Sequence, residues 1–397
     1  FSDLPQPAIN GMVVEVTGDA SNNFDNYFVK YNVDVWEETV KPATPIDIKE
    51  TKFPHLLIRT ADGNFRFTQI DGSSYTISAT SYDVPTLGSR VAGDLNSAPD
   101  PSFIGKKIND IFFHRNRLGV LADENVIMSR SGEFFEFFPE TVTSALDTDP
   151  IDVASTHTKV SILQHAVSFD EELLLFSEQS QFMVTGGATL TASNISINVT
   201  TEFEADKKVK PVGSGSNVFF TFAKGNFTGV REFFVASDTD TKKADDITAN
   251  VPKFVPANVF KLATSTTENI LIALSSDEDN ALYVFQYYVA QNKRLQSAWH
   301  KWTYGSTTSD KILNVDFIEN TLFIVNERSD GVYLETIDVS PALTDTGETY
   351  LTHLDRKINN TQITESYNAG TNQTTITLPY TLNNTMKVVG RSGASNK

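Results

Sequence analysis

Histidine is the main metal-ligating residue type that this sequence offers, because the chain contains no cysteine. Without cysteine there is no disulfide framework, thiolate nucleophile or cysteine-ligated metal site. His157 and His165 lie eight residues apart and could meet across a hairpin as zinc ligands. The run Val160–Phe169 is typical of a strand, however, which favours structural histidines, and no H-x-H or H-E-x-x-H pair occurs. The six histidines are His55, His114, His157, His165, His300 and His353. We expect neither a metal centre nor a cofactor.

Two short acidic segments could ligate calcium. One contains Asp147, Asp149 and Asp152, and the other contains Asp277, Glu278 and Asp279. Neither segment has the glycine at loop position six or the closing glutamate of an EF-hand. Solvated acidic turns are therefore the preferred interpretation of both.

Candidate catalytic groups are sparse. Glu133, Glu136 and Glu140 could supply a general acid and base, but sugar hydrolysis needs two carboxylates about 5–10 Å apart, which sequence spacing does not show. The S-x-D-x-G-x-x-W boxes of sugar-cleaving propellers do not occur in this sequence. Ser329–Gly331 is a partial match, but it lacks their spacing. Gly213–Asn217 departs from the G-x-S-x-G nucleophile elbow at its last position and is typical of a tight turn. Phosphate-binding glycine loops are also absent, so we expect no catalytic residue.

The densest cluster of positive charge lies between residues 101 and 139. It contains Lys106, Lys107, Arg115, Arg117 and Arg130, interleaved with phenylalanines. Such a pattern could contact nucleic acid. Alternatively, the phenylalanines belong to strands and acidic neighbours pair with the arginines. The whole chain favours this second interpretation, because 50 acidic against 32 basic residues give a net charge of −18, which repels phosphates.

Trp36, Trp299 and Trp302 also allow two interpretations. Exposed indole rings could stack on sugars, as in a carbohydrate-binding module, whereas rings buried between sheets would be part of the core. Burial is the preferred interpretation.

The elements that must position these residues are strands. Aromatic residues make up 11% of the chain, and β-branched residues alternate with frequent turn residues. Asn26–Trp36 alternates with period two and is predicted to be one strand. Leu56–Arg59, Asn64–Ile70 and Ser74–Ala79 follow, separated by Asp-Gly turns. We therefore predict an all-β protein.

A longer repeat starts near residue 108. Three or four apolar runs separated by turns recur, and the openings of the five copies fall at Ile108, Val160, Val209, Val259 and Ile312. An interval of about 50 residues with three to four short strands is the size of a propeller blade. The sequence thus predicts a β-propeller-like array of about five blades, with a sixth supplied by residues 1–84 or by sequence outside this chain. A string of β-sandwich domains is the alternative.

Composition suggests three regions. Residues 1–100 form a β module that could contribute to the propeller, residues 101–340 hold the blades, and residues 341–397, rich in Thr and Asn, begin a further β domain that is cut short. Because the chain starts with Phe1, we expect it to be a piece of a longer protein. No apolar run approaches the roughly 20 residues that cross a bilayer, so no membrane insertion is expected.

Several long segments resemble the tail tubular protein B family, the tail nozzle proteins of short-tailed bacteriophages. The resemblance covers roughly residues 1–340 and is weaker beyond. It is carried by residues 101–139 (PSFIGKKINDIFFHRNRLGVLADENVIMSRSGEFFEFFP), 149–154 (DPIDVA), 169–191 (FDEELLLFSEQSQFMVTGGATLT), 245–260 (DDITANVPKFVPANVF) and 297–305 (SAWHKWTYG).

This resemblance implies a structural protein of the virion tail, made in the host bacterial cytoplasm. It implies six copies in a ring below the dodecameric tail adaptor, tail fibres docked around the junction, and a central channel through which the genome leaves. The family is not defined by a catalytic residue. The alternative function is a glycan-binding or glycan-cleaving propeller that acts on the host cell surface.

Overall fold

The computed structural model describes residues 1–18, 26–158, 161–169, 171–187, 189–236, 241–290, 293–304, 310–340, 363–379, 391–392 and 395–396. Small antiparallel sheets account for nearly all of their regular structure, which confirms the all-β prediction. Among these residues, no helix has the length and apolar character needed to cross a membrane.

The described residues of the N-terminal region form three small sheets and one 3-10 turn. Strands β1 (Val13–Val16), β2 (Tyr27–Asn32) and β3 (Val35–Thr39) form a three-stranded sheet, the 3-10 turn spans Glu50–Lys52, β4 (Leu56–Arg59) pairs with β5 (Phe65–Thr68), and β6 (Ser74–Ile77) pairs with β7 (Thr80–Asp83).

The single strand predicted over Asn26–Trp36 is wrong. The chain reverses at Val33 and Asp34, which both have positive φ (43° and 70°), so that Asn32 pairs with Val35 in a tight hairpin. Valine rarely adopts this conformation, and the usual Asn-Gly signal of such a turn is missing. Tyr31 and Trp36 face each other across the hairpin, and both are buried.

Five sheets follow, at the positions of the five predicted repeats. Sheet 1 contains β8 (Ile108–His114), β9 (Arg117–Ala122), β10 (Asn125–Met128) and β11 (Ile151–Ala154). Sheet 2 contains β12 (His165–Phe169), β13 (Glu172–Phe176), β14 (Gln181–Thr185) and β15 (Ser196–Thr201). Sheet 3 contains β16 (Val212–Ser214), β17 (Asn217–Lys224), β18 (Phe227–Ala236) and β19 (Thr241–Asp246). Sheet 4 contains β20 (Val259–Ser265), β21 (Ile270–Ser275), β22 (Ala281–Ala290) and β23 (Lys293–Thr303). Sheet 5 contains β24 (Lys311–Ile318), β25 (Thr321–Arg328) and β26 (Gly331–Asp338). Each sheet is an antiparallel meander of consecutive strands.

Two hairpins follow sheet 5. They consist of β27 (Thr364–Asn368) with β28 (Gln373–Thr377) and β29 (Arg391–Ser392) with β30 (Ser395–Asn396). The second repeat was predicted to open at Val160, which lies outside the described residues, as does most of the predicted C-terminal domain.

The chain divides into two compact units, Phe1–Lys224 with Gly229–Asn250 and Gly225–Thr228 with Val251–Lys397. In the first unit, sheet 2 buries both of its faces. Leu173 and Leu175 belong to a core shared with sheet 1, whereas Leu174 and Phe176 belong to a core shared with sheet 3. In the second unit, sheets 4 and 5 share a core that includes Ile272 and Ile324. The apolar run Leu173–Phe176 is thus explained by burial on both faces of one strand.

Arg117 on β9 is 1% exposed and is held entirely by backbone carbonyls. Its guanidinium donates to the oxygens of Ser129 (2.8 Å), Asp147 (2.8 Å), Thr148 (3.3 Å), Asp149 (2.6 Å) and Leu190 (3.2 Å). Burial lowers the pKa of Arg117, and the charge of Asp149 partly offsets that effect. One side chain therefore fixes the 147–149 loop beside sheet 1 and links it to the loop at Leu190.

Gly119 on β9 leaves room for the aromatic ring of Phe112, its partner on β8. Gly119 pairs with Phe112, and a Cβ on Gly119 would lie 2.1 Å from the Cζ of that ring. Phe112 is itself part of the core between sheets 1 and 2. The ring therefore occupies the space that any larger residue at position 119 would need.

Replacing Arg117 should destabilise the first unit. In Arg117→Met, the backbone carbonyls that accept from the guanidinium lose their donor. We therefore expect the free energy of unfolding to fall by about 2–4 kcal/mol. The matched control is Arg115→Met, since Arg115 is exposed and donates to the carbonyl of Gly187 (2.7 Å). Urea denaturation and hydrogen exchange at residues 146–149 measure both variants. Equal losses for Arg115→Met and Arg117→Met would contradict this account.

Gly119→Ala should lower the free energy of unfolding by about 1–3 kcal/mol, because the added methyl group displaces the Phe112 ring. Gly213→Ala is the control, since a Cβ there meets its nearest atom at 3.7 Å. Thermal denaturation of the two variants provides the measurement. A loss in Gly213→Ala as large as that in Gly119→Ala would show that steric displacement is not the cause.

Candidate functional site

The basic residues of the 101–139 segment do not form a free cationic patch. Lys106 binds Asp123 (2.7 Å), and that hydrogen bond raises the pKa of Lys106. Arg130 binds both Glu133 (2.8 Å) and Glu140 (2.5 Å). Arg117 is buried, and the exposed Arg115 donates to a backbone carbonyl, so Arg115 and Lys107 are the cations of this cluster that reach solvent without an ion pair within the described part of the chain. The segment has little capacity to hold a phosphate backbone.

The first acidic segment is organised by protein donors. Asp147 and Asp149 offer their backbone carbonyls to Arg117, and the Asp149 carboxylate accepts from the backbone N–H of Leu146 (2.7 Å). Asp152 accepts from the backbone N–H of Ser102 (2.7 Å) and from Asn125 (2.9 Å). The arginine takes up the carbonyl oxygens that a calcium ion would need.

The carboxylates of the second acidic segment also have separate partners. Asp277 accepts from Asn258 (2.8 Å), Asp279 pairs with Lys311 (3.5 Å), and Glu278 binds Lys301 and Tyr283. Hydrogen bonds from Lys301 and Tyr283 lower the pKa of Glu278, whereas burial and the Glu278 carboxylate raise the pKa of Tyr283. Within the described ranges, no group of three or more His, Asp or Glu side chains could hold a metal ion.

The three candidate glutamates do not form an acid–base pair. Glu133 and Glu140 share Arg130, while Glu136 packs against Gly88. Burial, and then the charge of Glu133, raise the pKa of Glu136. A concavity of about 510 Å³ in the same unit contains none of them and is lined by Arg115, Arg117, Ser131, Glu171, Thr189 and Leu190. It holds a single carboxylate, so it lacks the second one that glycoside hydrolysis requires.

The histidines that the sequence offered as zinc ligands have separate partners. His157 faces Glu202 (3.4 Å), whereas His165 contacts the backbone carbonyl of Lys207 (2.9 Å). The remaining described histidines lie at distinct places: His55 stacks on Phe67, His114 is buried with a pKa lowered by desolvation, and His300 lies beside Trp302. His353 lies outside the described residues.

The other sequence candidates are structural. Gly213–Asn217 contains the end of β16, a turn with Gly215 at φ +61°, and the start of β17. Trp36 is buried and donates to the carbonyl of Pro5 (3.2 Å). Trp302 packs against the core of sheets 4 and 5, and the half-buried Trp299 lies 5.1 Å from the ring of Phe285. None of the three indole rings is a freely exposed sugar platform.

The structure reveals a feature that sequence reasoning missed: the first strands of neighbouring sheets are joined by compensated charges. Asp110 on β8 binds Lys210 (2.8 Å), lies 4.0 Å from His165 on β12, and accepts from the backbone N–H of Ala166 (3.0 Å). In the second unit, Lys261 on β20 pairs with Asp316 on β24 (3.3 Å). We call these residues the first-strand rim. No local motif could identify it, since Asp110 and Lys210 are 100 positions apart.

The rim is suited to joining sheets and not to chemistry. Burial lowers the pKa of His165, so its imidazole is mainly neutral at pH 7, while Asp110 is engaged by a lysine and a backbone donor. Each carboxylate of the rim faces a cation. The surface thus offers neither a free base nor uncompensated charge.

Two of the solved structures that match the chain show a remote likeness to it. Hsv2 of Kluyveromyces lactis aligns with a TM-score of 0.39 and 9% identity, over 87% of this chain and 98% of that chain. The Nup170 N-terminal domain of Chaetomium thermophilum, in complex with Nup53, aligns with a TM-score of 0.36 and 10% identity, over 62% of this chain and 41% of that chain. Likenesses at this level carry no inference about function.

Sequence comparison shows the family to which the chain belongs. A family described as bacteriophage nozzle protein matches residues 1–395. Tail tubular protein gp12 of Escherichia phage T7 is 34% identical over 383 residues, which cover 96% of this chain and 46% of that protein. The chain therefore spans about half the length of the curated relative that it matches. It belongs to the bacteriophage nozzle protein family, whose members are structural proteins of the virion tail and not enzymes.

Proposed function

We propose that this chain is part of a protein that forms a hexameric ring below the tail adaptor and conducts DNA during ejection. Tail fibres would dock around the junction between ring and adaptor. The observation that carries this proposal is the family match over residues 1–395. Since the chain spans 46% of its T7 relative, the ring and its partners are properties proposed for the longer protein.

We further propose that sheets 1 to 5 are blades of a β-propeller. Support comes from the burial of both faces of sheet 2 within the first unit and from the adjacency of first strands within each unit. Propeller blades pack face to face in this way, with only short, protected edges. Such a body is stiff, which suits a part of a tube that must keep its bore while DNA passes.

Charge also supports a conduit. Proteins hold DNA mainly by releasing counterions from phosphates that lysine or arginine neutralise. This chain carries a net charge of −18, and most cations of its densest basic segment are paired or buried. DNA would slide past such a wall without being retained.

The mass of the assembly tests the ring. The intact protein, mixed with its tail adaptor, should give particles that contain six copies by native mass spectrometry and a ring with an open centre by electron microscopy. A complex with a different copy number, or a protein that stays monomeric at all concentrations with adaptor present, would refute the proposed architecture.

Weak DNA binding is a separate prediction. In fluorescence anisotropy with duplex DNA at about 50 mM salt, the unmodified protein should bind with a Kd no lower than about 10⁻⁴ M, the weak end of the range for nonspecific association. The double substitution Glu133→Gln and Glu140→Gln frees Arg130 and should increase affinity and make it more salt-dependent. Micromolar binding by the unmodified protein that weakens steeply with salt would contradict a passage that does not grip DNA.

A further inference from the structure

The apolar surface of this chain is concentrated in its first 100 residues. Of the 25 large apolar side chains that are strongly exposed among the described residues, 11 lie in this quarter of the sequence. Large exposed apolar patches are uncommon on monomeric proteins and mark interaction sites. The N-terminal region is therefore the place to look for a contact that this chain alone does not complete.

The β4–β5 hairpin carries the most compact of these surfaces. Leu57 pairs with Phe67 and Arg59 pairs with Phe65, so these four side chains share one face of the two-stranded ribbon. Leu57, Phe65 and Phe67 are 65%, 63% and 70% exposed. We call these four residues the hairpin face.

The hairpin face is preorganised. Leu56, on the opposite side of the ribbon, packs against the core that contains Phe53 and Phe103. The turn is closed by the backbone bond from Thr60 to Asn64 (2.9 Å), with Gly63 at φ +83° and the Asp62 carboxylate accepting from the Thr60 hydroxyl (2.5 Å). A rigid apolar surface loses little conformational entropy on binding, which favours association.

Charge indicates what the hairpin face binds. Arg59 is exposed and makes no ion pair within the described residues, and Arg66 of the same hairpin lies over the Tyr75 ring (4.0 Å). A cation among three exposed apolar side chains is complementary to a surface that is both apolar and acidic. This chain carries a net charge of −18, so a second copy can supply the acidic side of such a contact.

We propose that the hairpin face is a subunit contact, which docks on an acidic, apolar surface of a second copy of this chain. The inference rests on the proposed ring, in which each copy meets its neighbour through two different surfaces. The hairpin is too small to be a whole interface, so it supplies anchor side chains within a larger one. Phe67 and Leu57 are buried by the neighbour, and Arg59 pairs with its carboxylates.

Site-specific cross-linking tests the contact directly, because the chain has no cysteine of its own. The intact protein with Phe67→Cys, labelled with a benzophenone maleimide, is assembled with its adaptor and irradiated. We expect links between two copies, with peptides that map to an acidic, apolar surface of the second copy. Leu295→Cys is the control, since Leu295 is 63% exposed on a different hairpin and should give at least tenfold fewer links.

Three results would overturn the contact while leaving the ring intact: six-copy particles with no intermolecular link, links only within one chain, or links only to the adaptor. Equal yields from Phe67→Cys and Leu295→Cys would do the same. If the unmodified protein forms no ring, the proposed function fails, and this inference fails with it.

Arg59→Glu gives an independent measurement, because it reverses charge on an exposed residue without removing apolar packing. We expect the concentration at which half of the protein is assembled to rise at least tenfold, whereas Arg59→Lys should retain most of the assembly. Circular dichroism should be unchanged in both variants. Unaltered assembly of Arg59→Glu would refute the role assigned to its charge.

Discussion

The architecture depends on burying both faces of a strand at once. In β13, Leu173 and Leu175 pack towards sheet 1 while Leu174 and Phe176 pack towards sheet 3, so every residue of the run is fixed by one of two cores. A strand of this kind cannot shift its register by one position without exchanging the contents of both cores. This requirement explains why sheet follows sheet in a face-to-face series within the first unit, and why apolar runs in this sequence are continuous where half-buried strands would alternate.

Two polar groups inside this series are held by defined partners on the protein. Arg117 is surrounded by carbonyl oxygens of two loops, and Asp110 is shared among a lysine, a histidine and a backbone amide. These groups use their hydrogen-bonding capacity on the protein itself. Ion pairs and burial likewise engage three of the five basic residues in the densest basic segment, Lys106, Arg117 and Arg130.

Much of this fold was predictable from the pattern of apolar runs. The repeat openings predicted at Ile108 and Val259 coincide with the first residues of β8 and β20, because buried strands are marked by their own side chains. The fourth strands of sheets 2 and 3, Ser196–Thr201 and Thr241–Asp246, were not predicted, since they are polar and lie at sheet edges. The first-strand rim was equally inaccessible, because its members are distant in sequence and each, taken alone, is an ordinary surface charge. The absence of catalytic motifs, by contrast, agreed with membership of a structural family.

The meander order of the five sheets has a kinetic consequence. Each strand pairs with the strand that precedes or follows it, so most of the loops that must close are short and their entropic cost is small. Within the first unit, a sheet can form as soon as its own segment of about 50 residues has left the ribosome, and it then offers a finished apolar face to the sheet that follows. Such serial formation leaves few unpaired strands exposed at any moment to join the wrong neighbour.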